Sequence, residues 1–196
     1  MTWPRLKNKN PLAGAFVGKK ALIIGTADCF YEDMKGVDYE SYEVFGLNDI
    51  PVYYSIICDH LVSMHPERIG WYTCLGSKYQ IHARPDPNGI KLVHDRFQTH
   101  SNEKYALVDH VWTFNDGGGS TSLYAVKICM IMGFDKIHLV GCPMDNSPRF
   151  TMPRGMKSKH DYSKVENWET WENHAKDMEG RVFSRSGKTR ELLGGF

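Results

Sequence analysis

The sequence predicts an α/β fold in which helices cover both faces of a mainly parallel sheet, a three-layer α/β/α sandwich. Short apolar runs recur in the chain, as in ALIIG (21–25) and KIHLVGC (136–142), and such runs are typical of strands buried on both faces. A stretch with helical spacing lies between them, and alternating strands and helices form right-handed βαβ units. The length of 196 residues suits one domain over residues 1–196.

The first half of the chain contains three predicted strands and further β signals. ALIIG (21–25) is the first strand, YEVFGLND (42–49) is the second and DHLVSMHPE (59–67) is the third. A short helix is expected around residues 67–72. YQIHAR, IKLVHDRF and HVWTF then indicate β-structure within residues 79–116, between polar turns.

The second half contains helices around one more strand. KIHLVGC (136–142) is predicted as a buried strand, and a helix is expected over 166–179. RVFSRSGKTRELLGGF (181–196) closes the chain with a turn and a terminal helix. An earlier helix is indicated by side chains that recur at helical spacing: Leu123, Val126, the stem of Lys127, Met130 and Ile131.

The composition is that of an ordinary globular protein. Hydrophobic residues make up 41% of the chain and charged residues 24%, and the formal net charge is +1. The charge balance therefore gives no support to a nucleic-acid or membrane partner. No apolar run is long enough for a signal peptide or a membrane span. The five cysteines form no CxxC pair, and we expect reduced thiols and a cytoplasmic location.

The parallel sheet predicts where a ligand would bind. Loops at the carboxyl ends of parallel strands gather along one edge, and ligands of such sheets bind beyond that edge. We therefore expect a shared edge for the loops 25–28, 48–50, 64–67, 116–122 and 141–146.

Two of these loops contain candidate nucleotide-binding residues directly after a strand. In GTADC, Gly25 permits a close backbone approach, Thr26 can donate a hydrogen bond to a phosphate or ribose, and Ala27 belongs to the same loop. In GLND, Asn48 and Asp49 suit hydrogen bonds to a base or a ribose. A plain strand-to-helix turn and an Asx-turn are the alternative interpretations. The lack of GxGxxG disfavours a nicotinamide-type dinucleotide site.

GGGSTS (117–122) begins the helix that precedes the strand at 136–142. Its glycines, of which Gly119 is the last, permit positive φ and expose backbone N–H groups, and Ser120, Thr121 or Ser122 caps the helix. A helix N-terminus attracts anions, so these residues are candidates for phosphate binding. The GK[ST] ending of a P-loop is absent. Helix capping alone is the alternative interpretation.

GCPMDN follows the last clear strand and supplies Gly141, Met144 and Asp145 to the predicted site. The Asp145 carboxylate could hold a ribose hydroxyl, a sugar or a metal, or it could be a solvated turn residue. Acid–histidine neighbours such as Asp59 and His60 lack a standard ligand spacing, so we expect neither a metal nor another cofactor.

Residues 146–165 are predicted to form a flexible lid. Two prolines and a glycine disfavour regular structure there, and His160 and Tyr162 are its candidates for the chemistry. A surface loop is the alternative interpretation. The segment contains one acid, Asp161, and five basic residues: Arg149, Arg154, Lys157, Lys159 and Lys164.

These motifs together resemble the bacterial sialyltransferase-like group of nucleotide-sugar enzymes. The resemblance covers about residues 20–146 and rests on ALIIGTA, YEVFGLND, DHLVSMHPE and, most specifically, STSLYAVKICMIMGFDKIHLVGCPMD. The chain is also similar to pterin diphosphokinase-like proteins and to short proteins that tailed phages encode. The resemblance implies a variant Rossmann-like sheet that binds a cytidine-nucleotide sugar without an essential metal.

The resemblance also implies roles for particular residues. It places the loop at Gly25 near the donor phosphate, Asn48 at the nucleotide or sugar, and Met144 and Asp145 beside the cytidine, with the hydroxyls of 120–122 at the helix start. The family's lid contributes tyrosines that hold the phosphate and a histidine that acts as general base. Tyr162 and His160 match these by position and residue type. The first loop, GTADC, departs from the family's usual glycine/asparagine/proline/serine turn.

Three functions follow from this pattern as hypotheses. The first is a glycosyltransferase that moves a sugar from a nucleotide, of the CMP type, to a hydroxyl acceptor. The second is a phage protein that binds a nucleotide without catalysis. The third is a Mg²⁺-dependent diphosphokinase, for which Asp49 and Asp145 are the plausible metal ligands. Self-association is open in all three.

Overall fold

The structure is a computed structural model that describes residues 12–50, 58–64, 112, 114, 120–150, 152 and 165–196, with side chains of the last range from residue 168. In these ranges, five strands form one parallel sheet in the order β3-β2-β1-β4-β5. The predicted fold class is therefore confirmed. The strands are β1 Lys20–Ile24, β2 Glu43–Leu47, β3 His60–Val62, β4 Lys136–Val140 and β5 Val182–Ser184.

Within the described residues, four α-helices accompany the sheet, together with a 3₁₀ turn at Tyr39–Ser41. None of the helices within the described ranges is long and apolar enough to cross a membrane. The helices are α1 Phe30–Asp33, α2 Thr121–Met132, α3 Val165–Met178 and α4 Gly187–Leu193.

Apolar cores lie on both faces of the sheet and produce the three layers. On one face, α2 packs in a cluster with Ile23, Phe45 and Leu139 of the strands and with Trp171 of α3. On the other face, Phe30 of α1 belongs to a smaller cluster of strand residues. Nearly every side of α2 is apolar and buried, as expected of a helix inside the core.

The predicted elements within the described residues match the structure, but α1, the 3₁₀ turn at Tyr39–Ser41 and strand β5 were not predicted. The runs at 21–25, 42–49, 59–67 and 136–142 coincide with β1 to β4, and the expected helices coincide with α2 and α3, in each case within a few residues. Strand β5 was not predicted, because its three residues form no apolar run; they are held by pairing with β4. The signals over 67–111 lie outside the described residues.

The order of the strands creates a crevice at one edge of the sheet. From the central strand β1, the chain proceeds to β2 and β3 on one side, and β4 and β5 lie on the other side. The connections that follow β1 and β4 therefore leave in opposite directions. Such a switch point at the carboxyl ends of the strands is where open α/β sheets bind their ligands.

Candidate functional site

A cavity of about 100 Å³ occupies this crevice. Asp49 adjoins it through its ion pair with Arg149, whereas Gly119, His160 and Tyr162 lie outside the described residues. The cavity is also lined by residues that were not predicted as site residues: Leu47, Cys142, Pro143, Ser147 and Arg149. Ten predicted donor-binding residues line it: Gly25, Thr26, Ala27, Asn48, Ser120, Thr121, Ser122, Gly141, Met144 and Asp145.

The loops after β1 and β4 form the floor of the crevice and touch through their backbones. The Gly25 N–H donates to Val140 O at 2.8 Å, and the Ala27 N–H donates to Gly141 O at 3.2 Å. A Cβ at Gly25 would collide with the carbonyl oxygen of Gly141 and with the Cys142 sulfur. The close approach that Gly25 permits is therefore made, in this structure, to the protein's own chain.

The buried carboxylate of Asp33 fixes the turn after β4. Asp33 of α1 accepts a hydrogen bond from the Gly141 N–H at 2.8 Å and another from the Ser186 hydroxyl at 2.8 Å. Burial raises the pKa of the neighbouring Cys29 thiol to about 12, and burial likewise raises the pKa of Cys142. Both sulfurs are therefore protonated thiols at neutral pH and poor nucleophiles.

Two non-glycine residues with positive φ border the cavity. Asn48 has φ 51° and Met144 has φ 53°, a conformation that costs most residues about 1–2 kcal/mol. The side chain of Asn48 is held by the loop after β3, because the Ser63 hydroxyl donates to Asn48 Oδ1 at 3.0 Å. With its oxygen engaged, the amide nitrogen of Asn48 is the group that can donate to a ligand.

The start of α2 forms one wall of the cavity, and Ser120 caps the helix. Its hydroxyl oxygen accepts from the Leu123 N–H at 3.3 Å and from Trp171 Nε1 at 3.4 Å. The N–H groups of Thr121 and Ser122 belong to the first turn, where no preceding carbonyl of the helix can accept from them. The positive end of the helix dipole therefore faces the cavity.

Met144 and Asp145 form a wall of the cavity that adjoins the start of α2. The Ser122 hydroxyl donates to the Met144 sulfur at 3.6 Å, so this wall packs directly against the start of α2. Asp145 Oδ1 accepts from the Ser147 N–H at 2.8 Å and closes a short turn. The second carboxylate oxygen of Asp145 can accept a hydrogen bond from a hydroxyl group.

Arg149 is the charged residue among the five lining residues that were not predicted as site residues. An antiparallel bridge joins Ala27 to Arg149, so the chain after β4 lies across the loop after β1. Arg149 Nε donates to the Thr26 hydroxyl oxygen at 3.2 Å, and Nη2 donates to the Asp49 carboxylate. The basic character of 146–165 was the only sequence signal for it.

The ion pair also bears on metal binding. Asp49 and Asp145 were the acids considered for Mg²⁺, but the carboxylate of Asp49 is paired with the guanidinium of Arg149. A cation in that position competes with a metal for the carboxylate. Within the described part of the chain, no three His, Cys, Asp or Glu side chains form a group that could hold a metal ion.

The sheet order and the position of the cavity define a Rossmann-like α/β fold with a cavity at the carboxyl edge of the sheet, the edge at which such sheets bind their ligands. The fold of this chain is similar to two solved structures from Campylobacter jejuni. One is the sialyltransferase CstII in complex with cytidine-5′-monophosphate, a substrate analogue, with TM-score 0.60, 14% identity and coverage of 91% of this chain and 85% of that chain. The other is the monofunctional α-2,3-sialyltransferase Cst-I, with TM-score 0.59, 12% identity and coverage of 97% and 84%. The chain thus has a sialyltransferase-like fold.

The other comparisons add no family. No protein-family model matches the chain, and no curated protein matches it significantly. Nothing in the comparisons supports the expected likeness to pterin diphosphokinases or to phage proteins.

Proposed function

We propose that this protein binds a nucleotide-activated sugar of the CMP type in the crevice and transfers the sugar to a hydroxyl acceptor. The observation that carries the proposal is the convergence of four separate loops on one cavity, at the switch point of a sheet with the sialyltransferase-like fold. A protein of that fold has been solved with cytidine-5′-monophosphate, which makes CMP the first ligand to test.

The chemistry of the walls suggests an orientation for the donor. The start of α2, with the N–H groups of Thr121 and Ser122, suits the negatively charged phosphate. The carboxylate of Asp145, which also lines the cavity, suits a ribose hydroxyl, because a hydroxyl donates to a carboxylate. The apolar side chain of Met144 lies beside it and suits the face of the base. Asn48 is left for the nucleotide or the sugar.

Transfer would need a base for the acceptor. The acceptor oxygen attacks the anomeric carbon, the bond from that carbon to the phosphate oxygen breaks, and CMP leaves. A neutral histidine near pH 7 can take the acceptor proton, and His160 is the candidate, with Tyr162 on the phosphate. The roles of His160 and Tyr162 stay predictions. The lid over 146–165 and the single domain over 1–196 also stay predictions.

Calorimetric titration with CMP, UMP, AMP and GMP tests the binding step. We expect CMP to bind, and we expect Asp145→Asn to weaken it about 10-fold, the value of one hydrogen bond to a charged group. Asp135→Asn is the matched control, because Asp135 is exposed and precedes β4 at the opposite edge of the sheet. Its CMP affinity should equal that of the wild type. If none of the four nucleotides binds, the proposal is wrong.

Incubation with a CMP-sugar and a hydroxyl acceptor tests the transfer step. We expect the wild type to release CMP. We expect His160→Ala to release none while it keeps its affinity for CMP. Tight CMP binding without any release would instead favour a protein that only binds the nucleotide.

A further inference from the structure

The guanidinium of Arg149 is held at the cavity by residues from two different loops. Nε donates to the hydroxyl of Thr26, in the loop after β1, at 3.2 Å. Nη2 donates to the carboxylate of Asp49, which follows β2. Both bonds involve the Nε–Nη2 edge of the guanidinium, which is therefore the edge that fixes its position.

The backbone around Arg149 is fixed as well. The Asp28 N–H donates to Pro148 O at 2.9 Å, and the Phe150 N–H donates to Thr26 O at 3.0 Å. These bonds surround the bridge between Ala27 and Arg149. The side chain therefore starts from a rigid position, which reduces the entropy lost when it engages a ligand.

The remaining donors of Arg149 are suited to a phosphate. Within the described residues, no acceptor is bonded to Nη1, and 40% of the side chain is exposed against 11% for Asp49. The Nη1–Nη2 edge is a planar fork that matches two phosphate oxygens, a geometry that lysine cannot reproduce.

The charge of the cavity points to the same role. Among the described residues that line it, the charged side chains are Arg149 and Asp145. Without the guanidinium, the crevice would present the carboxylates of Asp49 and Asp145 to an incoming anion. Arg149 therefore offsets one of these two negative charges and gives the crevice a cationic group that can bond a phosphate oxygen.

We infer that Arg149 is the residue by which this protein distinguishes a nucleotide from a nucleoside, through a forked hydrogen bond to the phosphate. The inference rests on the proposed function and deepens it. In a transfer reaction, the same guanidinium would stabilise the charge that grows on the phosphate oxygen as the bond to the sugar breaks.

Paired titrations with CMP and cytidine test the inference. Arg149→Gln should weaken CMP binding about 10- to 100-fold and change cytidine binding less than about 2-fold, because cytidine has no phosphate. Arg149→Lys should fall between the wild type and Arg149→Gln for CMP, since it keeps the charge but loses the fork. Arg190→Gln makes the same change of charge at an exposed residue of α4 outside the cavity lining, and its affinities should match the wild type.

The ratio of the two affinities separates recognition from a structural role. An equal loss of CMP and cytidine binding in Arg149→Gln would show that Arg149 only supports the loops; the inference would be overturned and the proposed function would stand. If Arg149→Gln does not fold, an unchanged CMP-to-cytidine ratio in Arg149→Lys would overturn it instead. Failure of the wild type to bind either compound would remove the proposed function, and this inference with it.

Discussion

Replacing Gly141 by alanine tests how strongly the crevice depends on contact between two loop backbones. Gly141 has φ +63°, and an added Cβ would lie 2.7 Å from the carbonyl oxygen of Gly25 and 3.2 Å from the Cβ of Phe30. Its N–H also donates to the buried carboxylate of Asp33 at 2.8 Å. A methyl group at this position must therefore displace backbone.

Gly180 offers a matched control that separates two costs. It has φ +70°, and nothing lies within 4 Å of its Cβ position. Gly180→Ala therefore measures the cost of positive φ alone, about 1–2 kcal/mol. Gly141→Ala adds the overpacking cost of about 1–3 kcal/mol, so we expect a total loss of roughly 2–5 kcal/mol.

Urea unfolding of both variants at pH 7, followed by circular dichroism, measures the difference. In a chain of this size each 1 kcal/mol also lowers the melting temperature by about 2–4 °C, which gives a second reading. Gly141→Ala should in addition weaken CMP binding, whereas Gly180→Ala should not. Equal losses of stability in the two variants would refute the packing argument.

The remaining predictions concern His138 and Asn48. Burial lowers the pKa of His138 from its ordinary 6.5 to about 4, and the nearby cations Lys20, Lys136 and Arg185 contribute to the same shift. Between these two pH values the unfolded chain binds a proton that the folded chain does not. The contribution of His138 to stability is therefore complete above about pH 6.5 and is lost as the pH falls toward 4. His138 is partly exposed, which reduces the expected effect. The difference in unfolding free energy between pH 7 and pH 4.5, measured with urea, should be about 1–2 kcal/mol smaller in His138→Gln than in the wild type. An identical difference in the variant and the wild type would contradict the lowered pKa of His138. Asn48→Gly relieves the positive φ but removes the amide, so its unfolding free energy should stay within about 1 kcal/mol of the wild type while CMP affinity falls several-fold; unchanged affinity would exclude Asn48 from binding.

The sequence predicted the fold well where an element depends on its own residues. Strands β1 and β4 are apolar runs that are buried in any parallel sheet, and the helical spacing of α2 needs no partner to be seen. Strand β5 differs, because VFS between charged residues becomes a strand only through its register with β4, where Ile137 pairs with Val182. That pairing is a tertiary contact, and local patterns do not encode it.

The same distinction applies to the cavity. Ten of its residues were predicted because a parallel sheet places the carboxyl ends of its strands at one edge, which follows from topology. Arg149 was not singled out, because its partner Thr26 lies 123 residues earlier in the chain. Asp33, which lies 108 residues from Gly141, was missed for the same reason. No spacing rule connects residues so far apart.

These contacts divide the proposed reaction between two parts of the chain. Ser120 is fixed by Trp171, Asn48 by Ser63 and Arg149 by Asp49, so the groups that would bind the donor are held before it arrives. A preorganised site of this kind reduces the cost of binding, and among its described residues no histidine lines the cavity that could take the acceptor proton. In the proposed reaction, the proton transfer would depend on the segment that contains His160. Binding and turnover should therefore be separable by mutation: changes at the residues that line the crevice, Arg149 included, should alter the affinity for the donor, and changes at His160 should alter the rate of transfer.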